Sequence, residues 1–335
     1  MNLHISNILT TFAVRCKPMQ EMTNIKYITL SACALLTWGA CSSEGGGSDN
    51  PVSPTPPAEK LPIRINTIIN SRATDDDFEM GDNMGLFVVN HNSNGSASIL
   101  KPTGNYIDNF KFTYLSSTWS SATPIYWKDE NTHADFYMYY PYISNIRDVT
   151  TMPWNVKADQ SKLSDYKASD LLIGETTNVA PTASAVNINV KHMMSQIIIT
   201  LVAGKGFTES SLAAANISVK VNHLKNNATV HLSTGEVRAT GDFTTIIPLK
   251  ENGRYKAIII PQTVDAENLI TVNVDGTDHN LANADDFHAF ETGKSHKFTA
   301  TIDKTSNGVN VSIMKWEDDG SDYGGNAELS PRSSI

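Results

Sequence analysis

The chain has 335 residues and a formal net charge of −9 at pH 7, with an isoelectric point near 5.4. This acidic balance argues against a nucleic-acid-binding protein, because a basic surface supplies most of the affinity for phosphate backbones. The three cysteines are Cys16, Cys33 and Cys41. The sequence beyond residue 41 therefore contains no disulfide, no thiolate metal site and no cysteine nucleophile.

The first predicted element is an export signal. Residues 27–38 (YITLSACALLTW) are apolar, Lys26 precedes them, and Gly39-Ala40 places small residues directly before Cys41. A basic flank, a short apolar core and small residues at a cut site are the parts of such a signal. A transmembrane helix, the alternative, needs about 20 apolar residues. The small pair followed by cysteine resembles the lipobox of bacterial lipoproteins, which implies cleavage before Cys41 and acylation of its thiol.

Residues 42–60 (SSEGGGSDNPVSPTPPAEK) are predicted to tether this anchor to a folded body. Gly and Ser make the first part flexible, and the Pro-rich end is stiffer and more extended. Residues 1–40 are thus interpreted as the signal, and residues 41–60 as the lipidated cysteine with its linker. A start at Met22 would give a signal of ordinary length; the alternative is an unusually long region before the apolar core.

From residue 61 onward, apolar residues alternate with polar ones, a period of two that is typical of half-buried strands. Residues 84–89 instead form a continuous apolar run, which indicates a buried strand. Strands predicted along the body include, in chain order, residues 63–66, 84–89, 110–114, 186–190, 217–221, 229–232, 255–260, 269–274, 297–302 and 309–313.

Turn residues separate these strands, and four pairs between extended runs are predicted to form hairpin turns. The four pairs are Thr234-Gly235, Asn252-Gly253, Asp275-Gly276 and Asn307-Gly308. A further turn is predicted at Asn226-Asn227. A short helix is predicted over residues 208–215 with Thr208 as its N-cap, and a weaker one over residues 161–172.

Regular short strands joined by polar turns predict an all-β protein made of β-sandwiches. About seven strands fall on either side of a Gly-Lys-Gly stretch at residues 204–206, a typical number for one sandwich. The sequence therefore predicts two tandem sandwich domains, residues 61–205 and residues 206–320, followed by a polar tail at residues 321–335.

Motifs along this body resemble those of the fimbrillin-like family, the subunits of type V pili and related surface lipoproteins. Residues 71–87 (SRATDDDFEMGDNMGLF) are similar to the family's opening "TRA…F..GD.IG.F". Residues 119–141 contain a Trp, then PIYW and DFYMYYP, similar to its "W…PIYWP…DFYAYYP". The remaining pieces are DLL at residues 170–172, VKHMMSQI at 190–197, IPQT at 260–263, FETGK at 290–294, and Trp316.

The resemblance implies two sandwich domains of transthyretin-like topology, placement at the outer membrane and in a fimbrium, and no catalysis. It also implies cleavage between Arg72 and Ala73 by an Arg-specific protease, which would release the lipid, the linker and a strand carrying Ile63, Ile65 and Ile69. The groove left behind would accept a donor strand from another pilus subunit. The alternative is that Arg72 is an ordinary loop residue and the protein stays lipidated.

The donor strand is left open by the sequence. Residues 317–335 (EDDGSDYGGNAELSPRSSI) lack the alternation that a donor strand needs, and Gly and Pro interrupt them. The subunit's place at the shaft, tip or base of a pilus is therefore not predicted.

A second hypothesis is a surface lipoprotein that does not polymerise and binds a host or polysaccharide ligand. Its stacking platform would be Trp119, Trp127 and Trp154, provided that these rings share an exposed face; the alternative places them in the core. The histidines show no metal-binding spacing, and Gly293-Lys294 lacks the preceding glycine of a phosphate loop. No metal or cofactor is expected.

Overall fold

A computed structural model of the chain describes residues 60–69, 78–264, 268–281, 288–305 and 308–314. The residues proposed for lipidation and cleavage, Cys41, Arg72 and Ala73, lie outside these ranges. Across the described ranges, no helix is both long and apolar enough to cross a membrane.

The described part of the chain consists mostly of β-strands, as the alternation of apolar residues predicts. In chain order the elements are β1 (Ile65–Ile69), β2 (Asn83–Asn90), β3 (Ile107–Leu115), β4 (Thr118–Ser120), β5 (Ala134–Tyr140), β6 (Met152–Asn155), α1 (Leu163–Lys167), β7 (Leu172–Val179), β8 (Val186–His192), β9 (Ser195–Ala203), α2 (Glu209–Ala214), β10 (Ile217–Val230), β11 (Val237–Ile246), β12 (Leu249–Glu251), β13 (Arg254–Ile259), β14 (Gln262–Thr263), β15 (Ile270–Val274), β16 (Thr277–Leu281), β17 (Ala289–Phe290), β18 (Ser295–Thr305) and β19 (Gly308–Met314).

The first sheet has seven strands in the order β1-β8-β7-β5-β2-β3-β4. Neighbouring strands in it are antiparallel except for β1 and β8, which run parallel with Ile65 opposite Val186 and Ile69 opposite Val190. The apolar run at residues 84–89 lies in β2, between β5 and β3. β2 is thus an interior strand of this sheet.

Two further sheets have five strands each. One has the order β11-β10-β15-β16, with β6 also paired to β10, and the other has the order β12-β13-β9-β18-β19. In the latter, β9 and β18 run parallel. β14 and β17 form a separate two-stranded sheet.

The sequence predicts a domain boundary after residue 205, but strands from both sides of that residue share the same sheets. β9 precedes that residue, yet it pairs with β13 and β18, which follow it. β6 likewise pairs with β10. The alternation of apolar and polar residues indicates which face of a strand is buried, but it does not indicate which strand pairs with it. The division into residues 61–205 and 206–320 therefore does not separate one set of strands from the other.

The buried side chains form two clusters, one on each face of the seven-stranded sheet. The first core contains only residues between positions 63 and 190, among them Met84 and Leu86 of β2. The second core contains Phe87 and Val89 of the same strand together with side chains from the other two large sheets. β2 is buried on both faces, which explains its continuous apolar sequence.

Two predicted hairpin turns are confirmed by backbone geometry. Asn252-Gly253 joins β12 to β13, with φ angles of 51° and 76°. Asp275-Gly276 joins β15 to β16, with φ angles of 49° and 91°. Positive φ at both central residues is the condition that favours Asn or Asp followed by Gly in a two-residue hairpin.

The turn predicted at Asn226-Asn227 is wrong, because both residues lie inside β10. The register between β10 and β11 shifts between Lys225 and Asn227, so the strand is irregular there. Asn226 exchanges hydrogen bonds with Val156: its Nδ2 donates to the Val156 carbonyl at 3.2 Å and its own carbonyl accepts from Val156 N at 3.0 Å. An asparagine that serves such a bulge has the same sequence appearance as one that serves a turn.

The short helix predicted over residues 208–215 is confirmed as α2. The hydroxyl of Thr208 accepts a hydrogen bond from Ser211 N at 3.2 Å, and the Ser211 hydroxyl completes the reciprocal pair with Thr208 N at 2.9 Å. This capping box satisfies N–H groups that the first turn leaves without helical partners. The weaker helix over residues 161–172 is reduced to the five residues of α1.

Candidate functional site

Residues 61–69, here called the closing segment, present alternate side chains to the first core. Ile63 and Ile65 are each 6% exposed, and Thr67 and Ile69 follow on the same side, partly buried. The side chains between them are exposed, namely Arg64, Asn66 and Ile68. The pattern arises because successive side chains of a strand point to opposite faces.

The backbone of the closing segment is paired on both of its sides. On one side, Ile63 N donates to the Ile125 carbonyl at 2.8 Å, and Trp127 N donates to the Leu61 carbonyl at 2.9 Å. On the other side, Ile65–Ile69 pairs with β8 in parallel. If the segment were removed, the backbone N–H and C=O groups of residues 125–127 and of β8 would lose these partners. They would then offer an edge to another strand.

A side-chain hydrogen bond connects the two outermost strands of the seven-stranded sheet. Trp119 of β4 donates from Nε1 to Oγ1 of Thr67 in β1 at 2.8 Å. Because β1 and β4 stand at opposite ends of the strand order, the sheet must curl until these strands approach each other. The indole is 7% exposed, and a buried N–H that loses its acceptor costs about 1–3 kcal/mol.

The first core depends on the closing segment for part of its enclosure. Ile63 and Ile65 belong to the same cluster as Phe112, Ile125 and Val186. Fully burying an isoleucine side chain contributes about 1.5–3 kcal/mol relative to leaving it exposed. Loss of the segment would remove that contribution at two positions and expose the apolar neighbours to water.

An aromatic group surrounds Trp119 close to this segment. The ring centroid of Phe78 lies 4.9 Å from that of Trp119 and 5.3 Å from that of Tyr140, both in edge-to-face arrangements. Tyr114 lies 5.1 Å from Trp119. The hydroxyl of Tyr140 donates to Asp82 Oδ1 at 3.0 Å, and burial raises the pKa of Tyr140, with the Asp82 charge adding to the effect. These contacts hold the indole of Trp119 in one orientation.

The structure brings together Ile63, Ile65 and Ile69, the three residues predicted for the displaceable strand, on one inward-facing row. Lipidation at Cys41 and cleavage between Arg72 and Ala73 concern residues outside the described ranges, and they stay predictions. The Trp119–Thr67 hydrogen bond was not predicted. No local pattern signals it, because 52 residues separate the two partners.

Trp119, Trp127 and Trp154, the residues considered for glycan stacking, are 7%, 4% and 7% exposed. Trp127 donates from Nε1 to the Thr182 carbonyl at 3.1 Å, and Trp154 donates to the Ser169 carbonyl at 3.1 Å. A stacking platform requires rings that share an exposed face. All three indoles instead serve as core residues with internal acceptors.

Two histidines are bound to buried or partly buried carboxylates. His91 Nε2 lies 2.7 Å from Asp135 Oδ1, and His192 Nδ1 lies 2.6 Å from Asp170 Oδ2. Both contacts give these histidines a hydrogen-bonded, structural role. In the ranges that the structure describes, no group of three His, Cys, Asp or Glu side chains could hold a metal ion.

Comparison with known proteins gives consistent matches. The family model described as "Fimbrillin-like" matches residues 71–316. "Putative fimbrium subunit Fim1C" of Bacteroides uniformis is 26% identical over 311 residues, which is 88% of this chain and 98% of that protein. "Putative fimbrium tip subunit Fim1C" of Bacteroides ovatus is 30% identical over 142 residues, 37% of this chain and 24% of that protein.

A solved structure shares the fold. The crystal structure of a "putative cell adhesion protein" from Bacteroides uniformis superposes with a TM-score of 0.58 at 20% sequence identity. The alignment covers 78% of this chain and 98% of that one. A protein of the same description from Bacteroides ovatus also has a TM-score of 0.58, at 16% identity, and the alignment covers 76% of this chain and 96% of that one.

Proposed function

Since this chain belongs to the fimbrillin-like family, we propose that it is a fimbrium subunit that joins other pilus subunits by exchanging the closing segment for one of their strands. The family consists of structural, non-enzymatic proteins of the fimbrium and cell surface. The chemistry of the proposed function is therefore the transfer of a strand between chains, with no covalent step in the assembly itself.

The observation that carries this proposal is the double pairing of the closing segment. Leu61 and Ile63 pair with residues 125–127, Ile65–Ile69 pairs with β8, and the inward side chains of the segment enter the first core. A strand from a second chain that reproduced these contacts would recover the backbone hydrogen bonds and the apolar burial together. While its own segment is in place, the subunit is capped and monomeric.

The proposed trigger is cleavage between Arg72 and Ala73. Arg72 follows Ile69, the last residue of β1, by three positions in the sequence. A cut there would leave the closing segment held only by non-covalent contacts. The same cut would separate the body from the proposed lipid anchor at Cys41, which the pairing of small residues with a cysteine supports. An acylated cysteine with two or more chains holds a protein stably on a membrane.

The test is digestion of the purified chain with an Arg-specific protease, followed by mass spectrometry and size-exclusion chromatography. We expect one cut after Arg72, loss of the N-terminal fragment, and a ladder of oligomers when a subunit that supplies a donor strand is present. Arg72→Gln should block all three effects. Arg64→Gln is the matched control, since Arg64 is exposed within the closing segment and should leave cleavage at Arg72 unchanged.

A body that is cut after Arg72 but keeps its segment, and stays monomeric with every candidate donor, would overturn the proposal. The glycan-binding alternative has no comparable support. Its three tryptophans are buried, and no other position in the described ranges gives it support.

A further inference from the structure

We propose that Trp119 selects which strand enters the groove, because it requires a hydroxyl side chain at the position that Thr67 now holds. This inference rests on the strand exchange proposed above and adds a rule for the partner. The partner is a β-strand of another subunit that runs parallel to β8. It carries aliphatic side chains at the positions of Ile63, Ile65 and Ile69, and Ser or Thr at the position of Thr67.

The aliphatic positions give affinity but little selection. Ile63 and Ile65 enter a core of hydrocarbon side chains, and such cores accept other apolar residues of similar volume at small cost. Many alternating strands would satisfy that requirement. Selection needs a position at which a wrong side chain leaves a polar group unpaired.

Trp119 creates such a position. Its Nε1 donates to Thr67 Oγ1 at 2.8 Å, and among the described residues this is the acceptor that the indole has. The ring contacts Phe78 and Tyr114, with centroid separations of 4.9 and 5.1 Å, so turning it toward another acceptor would disrupt those contacts. An incoming Val would fill the space of Thr67 and leave the N–H buried without a partner.

The backbone adds a second condition on the partner. Ile63 donates its N–H to the Ile125 carbonyl, so the residue at that position cannot be Pro. The neighbouring Pro62 forms the antiparallel bridge to Tyr126, so the preceding position tolerates Pro. The strand that fits is therefore apolar, non-proline at the position of Ile63, and hydroxylated four residues later.

The experiment measures entry of labelled peptides into the groove. The chain is given an engineered cleavage site in place of residues 71–77, so that the result does not depend on cutting after Arg72. After cleavage it is refolded from urea with a fluorescent peptide of residues 60–70, and incorporation is followed by anisotropy. The peptides are the native sequence, Thr67→Ser, Thr67→Val and Ile68→Thr. The last is the matched control, because Ile68 points outward and is 45% exposed.

We expect the native, Thr67→Ser and Ile68→Thr peptides to bind alike, and the Thr67→Val peptide to bind about tenfold to a hundredfold more weakly, as expected for an unpaired buried N–H. On a Trp119→Phe receptor, the difference between the native and Thr67→Val peptides should shrink to about twofold or less, since phenylalanine has no N–H to satisfy. If that receptor does not fold, the peptide series on the native receptor decides by itself.

Equal binding of the native and Thr67→Val peptides to the native receptor would overturn the selection by Trp119 and leave strand exchange standing. Failure of every peptide to enter, the native one included, is a different result. It would overturn strand exchange itself and with it the premise of this inference.

Discussion

Gly85 shows how closely single residues are packed in the seven-stranded sheet. A Cβ built on Gly85 would overlap the ring of Tyr139, which lies on the neighbouring strand β5. The hydroxyl of Tyr139 can donate a hydrogen bond to Asn109 Oδ1, at 2.6 Å, or to the Ile143 carbonyl, at 2.8 Å. The ring therefore cannot move away without breaking hydrogen bonds, and glycine is required for close approach.

We predict that Gly85→Ala lowers the free energy of unfolding by about 1–3 kcal/mol, the usual effect of overpacking a core. Urea denaturation followed by tryptophan fluorescence measures it. Thr177→Ala, at an exposed position of β7, is the control and should change stability by less than about 0.5 kcal/mol. A neutral Gly85→Ala variant would show that Tyr139 is not fixed as described.

His296 is a buried residue whose protonation at low pH should lower the stability of the fold. It is 8% exposed, and its Nε2 accepts a hydrogen bond from Glu291 N at 3.3 Å, so the imidazole is neutral at that nitrogen. Burial lowers the pKa of His296; the Glu291 charge opposes this shift and Lys294 adds to it. The folded protein therefore binds this proton less readily than the unfolded chain does.

The stability that His296 contributes should be complete above its ordinary pKa near 6.5 and should decline as the pH falls below that value. Urea unfolding at pH 7.5, 6.5 and 5.5 measures the decline. His296→Gln should flatten this part of the profile, because glutamine does not titrate. An identical pH dependence in the variant would contradict the assignment.

At the scale of elements, β1 offers a comparison of two isoleucines in one strand. Ile65 is 6% exposed in the first core, whereas Ile68 is 45% exposed on the outer face. Ile65→Ala should lower the free energy of unfolding by about 2–5 kcal/mol, through lost transfer energy and the cavity left behind. Ile68→Ala should change it by less than about 0.5 kcal/mol.

Urea denaturation of the uncleaved chain, with circular dichroism as the probe, measures both variants of β1. Equal effects at the two positions would show that the inward and outward faces are wrongly assigned. The sequence alone predicts the inward position of Ile65, because Ile63 and Ile65 alternate with the polar Arg64 and Asn66. It does not predict that Ile68 is exposed, since the residue before Ile68 is the polar, partly buried Thr67. It does not predict that β1 runs parallel to β8, since the two strands are more than 100 residues apart and no local pattern encodes their direction.

At the scale of the whole molecule, the two halves of the body depend on each other. Ile197 and Ile199 of β9 are fully buried against strands that follow residue 205, and Gln160 donates from Nε2 to the Ile258 carbonyl at 2.8 Å. The second core spans both halves as well. A chain that ends at residue 205 would expose these side chains and the unpaired edges of β9.

We predict that residues 61–205 expressed alone do not form a stable monomer, while residues 42–335 unfold in one cooperative transition. Size-exclusion chromatography and coincidence of the fluorescence and circular dichroism transitions measure this. A monodisperse fragment of residues 61–205 with its own sharp unfolding transition would instead support independent domains.

Local signals in the chain were enough to identify about half of the strands, the Asn252-Gly253 and Asp275-Gly276 hairpins, the cap at Thr208, and the inward positions of Ile63 and Ile65. Each of these depends on residues within a few positions of one another, where side-chain period and backbone preference are fixed by chemistry. Other features depend on contacts between distant residues. They are the choice of neighbouring strands, the pairing of β6 with β10 and of β9 with β13, and the hydrogen bond between Trp119 and Thr67. Such contacts form only when the whole chain packs, because many pairings satisfy the same alternation and the packed core selects among them.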